Sequence, residues 1–479
     1  MRTQFLLLVL PVLALGCSRS SLDFGLDRSP APALDSGSPY SSSDGDEPPA
    51  DSGTALPDGA TGDAFPPECP VGESFCVGGC VPLNSNAHCG GCSIACSGDQ
   101  SCVTGLCRGG ASVWPTLGGD VHHTGYNSNE TGTPPLTAAW AAALGTGSGG
   151  TPEAPSPAVS DGTSIYLSAK TYSAETSTFQ TNVWAIAPAD GHIIWTQTFG
   201  MVFSVGQVTV DSGHLYVAQC DNYMNTYMHS LLAVTGSVVW SQPFDAQWEN
   251  YWAPLVVAGR IYFDGGEYGG LYGFDQASGA QDWYAGEEQW DEWSPMFLDD
   301  RIYSFTDGNL RAFDPVAGTP IAVANVTWNW TGYSMRTSAV SDGASIFVIA
   351  PPSIYAYPPS LSAPSWTASA SYLGQPAVAN GVLYALSMSG EASGGLLSAL
   401  DAASGSVLWT FAGDGVMSYP PVVAGNYVYV ASDANVYAVD TSTHEQVWTG
   451  TPGGWLSIAN GQLYVAGGDG SLHAWQMTQ

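Results

Sequence analysis

Residues 287–295, with the sequence EEQWDEWSP, concentrate reactive side chains in one short segment. Four of these nine residues are carboxylates and two are tryptophans. Carboxylates accept hydrogen bonds from sugar hydroxyls or coordinate Ca²⁺, and tryptophan faces stack on sugar rings or hold cations. The segment is therefore a candidate site for a cation, a glycan or a basic peptide. The alternative is structural: the tryptophans pack between elements and the acids face solvent.

Two further segments repeat this chemistry, DAQWENYWAP at residues 245–254 and WNWTGYSMRTS at residues 328–338. The candidate ligand-binding residues of the three segments are Trp248, Glu249, Trp252, Trp290, Asp291, Glu292, Trp293, Trp328, Trp330 and Arg336. No catalytic residue is assigned, because no Ser-His-Asp arrangement, phosphate loop or paired-carboxylate motif stands out. His122 and His123 are adjacent, and we expect them to pack or cap rather than to bind a metal. No metal ligand set is identified.

The charge balance excludes one class of partner. Lys and Arg total 9 against 42 Asp and Glu, which gives a formal net charge of -33 over 479 residues, and Lys170 is the only lysine. Such a field repels phosphate backbones and attracts divalent cations or basic partners. We therefore expect no nucleic-acid binding.

The N-terminus has the composition of an export signal followed by a tether. Residues 1–17, MRTQFLLLVLPVLALGC, carry one early positive charge and an apolar run too short to span a bilayer. They resemble a bacterial lipoprotein signal, which implies lipidation of Cys17, although ordinary cleavage is the alternative. Residues 18–67 are rich in Ser, Asp, Pro and Gly and cannot bury enough apolar surface to order themselves. We expect a flexible acidic linker there.

Residues 68–108 form a cysteine-rich segment that is too small to be held by a core alone. An even, dense set of cysteines in an exported chain predicts four disulfides, whose pairing the sequence does not determine. A zinc-binding knot is the competing interpretation. The eight residues are Cys69, Cys76, Cys80, Cys89, Cys92, Cys96, Cys102 and Cys107. The isolated Cys220 is expected to be a buried thiol.

Beyond residue 114 the sequence is periodic. Segments such as GGLLSALDAASGSVLW (394–409) and NVYAVDTSTHEQVW (435–448) each read as two strands around a turn, the second ending in Trp. Each is preceded by another hairpin, such as SPMFLDDRIYSFT or QPAVANGVLYALS, in which a proline opens the first strand. Four strands recurring about every 40–50 residues are typical of a β-propeller blade.

The number of closing positions, one at the end of each four-strand unit, gives the number of complete blades. They lie at Trp195, Trp240, Trp283, Val323, Trp366, Trp409 and Trp448. A further three strands at residues 455–475 lack an outer strand, and TAAWAAAL at residues 137–144, with Trp140, is expected to supply it. The sequence therefore predicts an all-β chain with an eight-bladed propeller at residues 114–479, closed by an N-terminal strand; seven blades are the alternative.

The repeat ALDAASGSVLW and the lead-in WPTLGGDVHHTGYN (114–127) resemble the pyrroloquinoline-quinone-like (PQQ-like) propeller family. That family includes quinoprotein dehydrogenases, an outer-membrane assembly lipoprotein and propellers without known activity, so the resemblance implies fold more than function. A quinoprotein would add a vicinal disulfide, a calcium site and a catalytic aspartate. Here the propeller has one cysteine, no Cys-x-x-Cys-His motif occurs, and no family motif places Glu249, Asn250 and Asp291 as calcium ligands.

The sequence thus predicts a lipid-anchored cell-envelope protein, located at the outer membrane, whose propeller is a non-catalytic binding or scaffold domain for a protein, glycan or cation. No cofactor is expected. PQQ and Ca²⁺ belong only to the alternative, a quinoprotein dehydrogenase. A second alternative is a scaffold for outer-membrane protein assembly.

Overall fold

A computed structural model describes residues 69–70, 73–76, 79–96, 100–144, 151–152, 155–173, 178–220, 226–246, 250–266, 269–328, 334–388 and 395–479. The chain divides into two units, Met1–Asp63 and Ala64–Gln479, and all described residues belong to the second unit. The predicted signal, the lipidation site Cys17 and the linker up to residue 67 lie outside these ranges. Within the ranges, no helix has both the length and the apolarity needed to cross a membrane.

The cysteine-rich segment folds as three small hairpins held by disulfides. The hairpins pair β1 (Glu73–Cys76) with β2 (Gly79–Pro82), β3 (Asn84–Ser85) with β4 (His88–Cys89), and β5 (Ser101–Val103) with β6 (Leu106–Arg108). The prediction of four disulfides is confirmed, and the pairs are Cys69–Cys80, Cys76–Cys92, Cys89–Cys102 and Cys96–Cys107. We call this segment, residues 69–108, the disulfide module. Because its sulfurs are bonded to one another, the zinc interpretation has no free thiolates to use.

The rest of the described chain forms eight sheets arranged as successive blades, and the blade strands of each sheet pair antiparallel. A short 3-10 helix (Leu117–Gly119) comes first, followed by β7 (Tyr126–Asn127) and β8 (Thr133–Ala143). Blade 1 contains β9 (Thr151–Pro152), β10 (Val159–Ser160), β11 (Ile165–Ser173), β12 (Thr178–Ile186) and β13 (Ile193–Gly200). Blade 2 contains β14 (Ser204–Val205), β15 (Thr209–Asp211), β16 (His214–Cys220), β17 (Tyr227–Leu232) and β18 (Val238–Pro243). Blade 3 contains β19 (Leu255–Val257), β20 (Arg260–Asp264), β21 (Leu271–Asp275) and β22 (Gln281–Ala285).

The remaining five blades follow the same order from inner to outer strand. Blade 4 contains β23 (Met296–Leu298), β24 (Arg301–Thr306), β25 (Asn309–Phe313) and β26 (Pro320–Asn325). Blade 5 contains β27 (Val340–Ser341), β28 (Ile346–Ala350), β29 (Ser353–Tyr357) and β30 (Trp366–Ser369). Blade 6 contains β31 (Tyr372–Ala379), β32 (Val382–Met388), β33 (Gly395–Asp401) and β34 (Val407–Phe411). Blade 7 contains β35 (Tyr419–Ala424), β36 (Tyr427–Ala431), β37 (Val436–Asp440) and β38 (Gln446–Gly450), and blade 8 contains β39 (Gly454–Ala459), β40 (Gln462–Gly467) and β41 (Ser471–Thr478).

Blade 8 is completed by the N-terminal strand. Strand β8 pairs antiparallel with β41, and Trp140 lies opposite Ala474. The predicted eight-bladed ring, closed by residues 137–144, is therefore confirmed. Since β8 and β41 would each be left with an exposed edge if they did not meet, this pairing satisfies both strands at once.

A closing tryptophan connects its blade to the following one. The Trp283 indole N–H of blade 3 donates to the Pro315 carbonyl in the outer turn of blade 4 at 3.1 Å. The ring lies over Gly318, where a Cβ would come within 2.4 Å of the indole and where φ is +67°. The same contact recurs at Trp140, Trp195 and Trp366, which bond to Pro188, Ala233 and Ala402. Glycine is required there both for its positive φ and because the indole occupies the space of a side chain.

Two prolines lie inside inner strands, and one of them, in QPAVANGVLYALS, was predicted to open its strand. Pro376 belongs to β31 and Pro421 to β35, and in both strands the pairing register shifts around the proline. A proline has no N–H for the ladder, so a bulge is the place within a strand that tolerates it.

The lead-in, residues 114–127, runs around the inside of the ring and bonds to the innermost strands. We call it the plug. Seven blades make a hydrogen bond with it, through Ser160, Val210, Phe297, Ser341, Val378, Val423 and Ile458. Blade 3 contacts it through apolar packing of Leu117 against Trp252 and Ala253. His122 and His123 are fully buried in the plug, and His123 Nδ1 lies 3.2 Å from the Ala339 carbonyl oxygen.

The disulfide module lies against the plug and against the inner turns of blades 4 and 5. Asp300 N–H donates to the Gly90 carbonyl at 3.0 Å, and Ile94 packs on the apolar core of blade 4. Arg108 forms an ion pair at 3.1 Å with Asp120 of the plug. The disulfide module thus covers the end of the channel at which the first and second strands of each blade are joined. The opposite end of the channel is left accessible.

Candidate functional site

The candidate residues belong to connections that run from the outer strand of one blade to the inner strand of the next. In an antiparallel four-stranded blade these connections lie at the opposite end from the turns that contact the disulfide module. We call this end of the channel the mouth. Three of the sequence-predicted residues, Trp248, Glu249 and Trp330, lie outside the described residues. The other seven are described below.

The first carboxylate of EEQWDEWSP is buried between blades. Glu287 has no exposed side-chain surface, accepts a hydrogen bond from Ser304, and lies 3.6 Å from the Arg311 guanidinium. Burial raises its pKa to about 7, although the Ser304 hydroxyl and the Arg311 charge act in the opposite direction. This acid is part of the internal packing, away from the mouth surface.

Both tryptophans of the segment serve packing. Trp293 is 1% exposed, and its N–H donates to the Trp290 carbonyl at 2.9 Å. Trp290 packs edge-to-face on Trp328, with ring centroids 5.6 Å apart. These contacts match the structural alternative for Trp290 and Trp293. Trp328 also lines the mouth, as does Trp252 of the preceding connection.

The acids that follow Trp290 fix the connection to its neighbours. One Asp291 carboxylate oxygen accepts the Asn250 N–H at 3.2 Å, and the Asp291 carbonyl accepts the Met335 N–H at 2.8 Å. Glu292 accepts a bond from Arg336 Nε at 2.8 Å. Burial raises the pKa of both carboxyl groups, and the Arg336 charge opposes the shift. The structure therefore brings three adjacent connections together through Asn250, Asp291 and Arg336.

A belt of hydrogen bonds beneath these side chains links blades 3 to 6. The Ser294 hydroxyl donates to the Ala253 carbonyl at 2.7 Å, and the Ser294 N–H donates to Ser338 Oγ at 2.9 Å. The Ser338 N–H in turn donates to Gln375 Oε1 at 2.5 Å. The Gln375 amide nitrogen Nε2 is buried and has no hydrogen-bond partner among the described residues.

The mouth contains an apolar cavity of about 660 Å³, which we call the apolar lobe. Its walls include the predicted residues Trp252, Glu292, Trp328 and Arg336. The sequence reasoning missed its other half, which comes from blades 5 to 8 and includes Tyr372, Leu373, Gln375, Met388, Tyr419, Asp433 and Trp455. Tyr419 donates to Asp433 at 3.0 Å, and its ring packs against Trp455.

A second cavity of about 430 Å³, the polar lobe, adjoins the first and shares Trp252, Glu292 and Trp455 with it. Lys170 and Gln207 line this lobe. The Lys170 ammonium lies 5.5 Å from the centre of the Phe203 ring. An open groove of about 710 Å³ also lies on the outer surface, but it is formed by outer-strand residues of blades 3 and 4 rather than by the mouth connections.

The described residues offer no ready metal centre at the mouth. Among them, the one group of His, Cys, Asp or Glu side chains close enough to share an ion is Cys89, Cys96 and Cys107, whose sulfurs are in disulfides. His122 and His123 are buried in the plug, and burial lowers the pKa of each to about 4. This placement agrees with the packing role expected from the sequence.

The periodic propeller and its mouth can be compared with known proteins. A family model described as outer membrane protein assembly factor BamB matches residues 180–392, 306–416 and 393–478, which together span more than half of the chain. The chain belongs to the PQQ-like β-propeller family. A search of curated proteins gave no significant match.

Solved structures of PQQ-like propellers share the fold at low sequence identity. BamB from Moraxella catarrhalis is 16% identical, with a TM-score of 0.55, and covers 72% of this chain and 98% of its own. A europium-containing methanol dehydrogenase is 14% identical, with a TM-score of 0.59, and covers 76% and 98%. Quinohemoprotein alcohol dehydrogenase from Comamonas testosteroni is 16% identical, with a TM-score of 0.57, and covers 76% and 80%. These likenesses concern the fold alone.

Proposed function

We propose that this PQQ-like propeller is an exported cell-envelope scaffold that binds a partner protein at its mouth. The observation that carries the proposal is the asymmetry of the channel. The plug and the disulfide module occupy one end, whereas the mouth presents adjoining cavities of about 660 Å³ and 430 Å³. Concave sites lined by apolar and aromatic side chains with a few polar groups are where ligands bind. Disulfides are consistent with an oxidising compartment outside the cytoplasm.

The likeness to an outer membrane protein assembly factor makes a protein partner the favoured class over a glycan. A lipid anchor at Cys17 and an outer-membrane location remain part of the proposal, resting on the sequence of residues 1–17. Such an anchor would tether the propeller to a membrane through the acidic linker.

The mouth does not suit PQQ, the cofactor of the quinoprotein dehydrogenases in this fold family. The tricarboxylate needs cationic partners. In the apolar lobe the basic side chain is Arg336, and its charge is offset by that of Glu292 beside it. Asp433 and Glu292 add negative charge to the same walls, and Lys170 is the basic residue of the polar lobe. The residues do not fit this group, and we propose a function without quinone chemistry.

The proposal can be tested by site-specific photo-crosslinking of the full chain in the cells that natively produce it. A photoreactive residue replaces Leu373, which lines the apolar lobe, and in a matched variant it replaces Val234, which is 77% exposed on an outer turn of blade 2. We expect a discrete protein adduct from position 373 and none from position 234. Adducts from position 234 alone, or saturable Ca²⁺-dependent PQQ binding in a calorimetric titration, would overturn the proposal.

A further inference from the structure

The apolar lobe has three properties that together define the chemistry of its ligand. Its walls are mostly aromatic and aliphatic, including Tyr372, Met388 and Trp455. The Gln375 amide on its wall is 3% exposed and keeps an unused donor at Nε2 in the described part of the chain. Asp433 and Glu292 stand on the same walls as hydrogen-bond acceptors.

The unused donor points to an acceptor on the ligand. A buried amide N–H without a partner costs free energy that a ligand carbonyl would recover. Gln375 Oε1 is held by the Ser338 N–H, which fixes the amide orientation and leaves Nε2 as the group that can bond outward. Peptide carbonyls provide such an acceptor at every residue.

The carboxylates point to a basic group on the ligand. Asp433 is exposed and makes a bond to the Tyr419 hydroxyl, which leaves further lone pairs. Glu292 is paired with Arg336, whose side chain is 69% exposed. Exposed ion pairs contribute little, so an incoming guanidinium or ammonium can replace Arg336 at Glu292. The net charge of -33 steers basic segments toward the protein.

Resting on the proposed function, we infer that the apolar lobe binds an extended segment of the partner in which an apolar or aromatic side chain alternates with arginine or lysine. The apolar side chain fills the space between Met388, Tyr372 and Trp455. The neighbouring basic side chain reaches Asp433 or Glu292, and a main-chain carbonyl accepts the Gln375 Nε2 donor.

The test measures binding of three labelled peptides to the full chain by fluorescence anisotropy at low salt. The probes are Gly-Leu-Arg-Phe-Arg-Gly amide, its Arg-to-Glu version and its Leu- and Phe-to-Ser version. We expect the first to bind at least about tenfold more tightly than the Ser version, since one buried apolar side chain contributes about 1.5–3 kcal/mol. We expect it to bind at least several-fold more tightly than the Arg-to-Glu version, because Asp433, Glu292 and the net charge of -33 repel the added carboxylates. Equal binding of the Arg and Glu peptides, or of the apolar and Ser peptides, would refute the inference.

Variants of the lobe then locate the binding. Met388→Trp fills the cavity from a side chain that is 37% exposed, and we expect it to weaken binding by about tenfold or more. Val234→Trp adds the same ring to an exposed turn and should leave affinity unchanged. Asp433→Asn should weaken binding of the Gly-Leu-Arg-Phe-Arg-Gly peptide by about two- to fivefold, and it should not weaken binding of the Arg-to-Glu version. Unchanged affinity in Met388→Trp contradicts the assignment to this lobe.

The two proposals fail separately. If crosslinking from position 373 captures a protein but the basic apolar peptide binds no better than its controls, the inference is wrong and the scaffold function stands. If position 373 captures nothing and no peptide binds, both are wrong.

Discussion

Gly318→Ala tests whether a tryptophan of one blade needs a glycine in the next. A Cβ at position 318 would lie 2.4 Å from two atoms of the Trp283 indole, far inside ordinary contact of about 3.5–4.0 Å. The backbone there has φ +67°, which also strains an alanine. Overpacking of a well-filled contact typically costs about 1–3 kcal/mol, so the variant should lose that much free energy of unfolding beyond the backbone strain.

Gly259→Ala is the matched control. Its φ is +76°, and no heavy atom would lie within 4 Å of the new Cβ, so it carries the strain without the clash. Both substitutions equally reduce the freedom of the unfolded chain. Unfolding in guanidinium, followed by circular dichroism, should therefore show Gly318→Ala to be less stable than Gly259→Ala by about 1–3 kcal/mol. Equal stability of the two variants would refute the reasoning about blade-to-blade docking.

Three other predictions follow from buried groups and from the disulfide module. The pKa of Glu287 is raised to about 7 from an ordinary value of 4.5, so its stabilising contribution is complete below about pH 4.5 and is lost as pH rises to about 7. Glu287→Gln should remove about 3 kcal/mol of that pH dependence, measured as the difference in unfolding free energy from the native chain; an unchanged slope contradicts it. The pKa of His122 is lowered to about 4, so its contribution to the free energy of unfolding is present above about pH 6.5 and is lost on acidification through about pH 4. His122→Gln should therefore lessen the acid destabilisation seen when unfolding is measured against pH, and an unchanged acid destabilisation contradicts the prediction. Replacing Cys89 and Cys102 together by serine removes one disulfide, which contributes about 3 kcal/mol of stability for a loop of this length. Because the Asp300 N–H donates to Gly90 of the disulfide module, hydrogen exchange at the Asp300 amide should become faster, and unchanged exchange counts against docking of the module.

Periodicity made the ring predictable. Repeated hairpins ending in tryptophan, and the unmatched strand around Trp140, are local patterns that identify blades and the closing strand without any knowledge of tertiary contacts. The disulfide count was equally accessible, but the pairing was not, because spacing alone is compatible with many connectivities.

The mouth was only half predictable. Clusters of Trp, with acids in two of the three, drew attention to the connections before blades 3, 4 and 5. Trp293 nevertheless lies in the core, directly after Glu292, whose backbone is left-handed with φ +57°, a local conformation that the cluster pattern does not reveal. The aromatic residues from later blades, Tyr372, Tyr419 and Trp455, stand singly at the starts of inner strands and lack that signal. Aligning the starts of the inner strands of all eight blades, rather than looking for dense clusters, would have found them.

The pairing of β8 with β41 also governs how the ring can be made. The Thr133 hydroxyl donates to the Thr478 carbonyl across 345 residues of sequence, so this contact forms only after the last strand of the propeller has been synthesised. High contact order slows folding, and until closure β8 and the outer edge of β41 are unpaired and prone to aggregate. The plug, which precedes every blade in the chain, is available from the start as a strip on which each new inner strand can dock. Removal of a few C-terminal residues would therefore affect folding yield more than the lost contacts alone suggest.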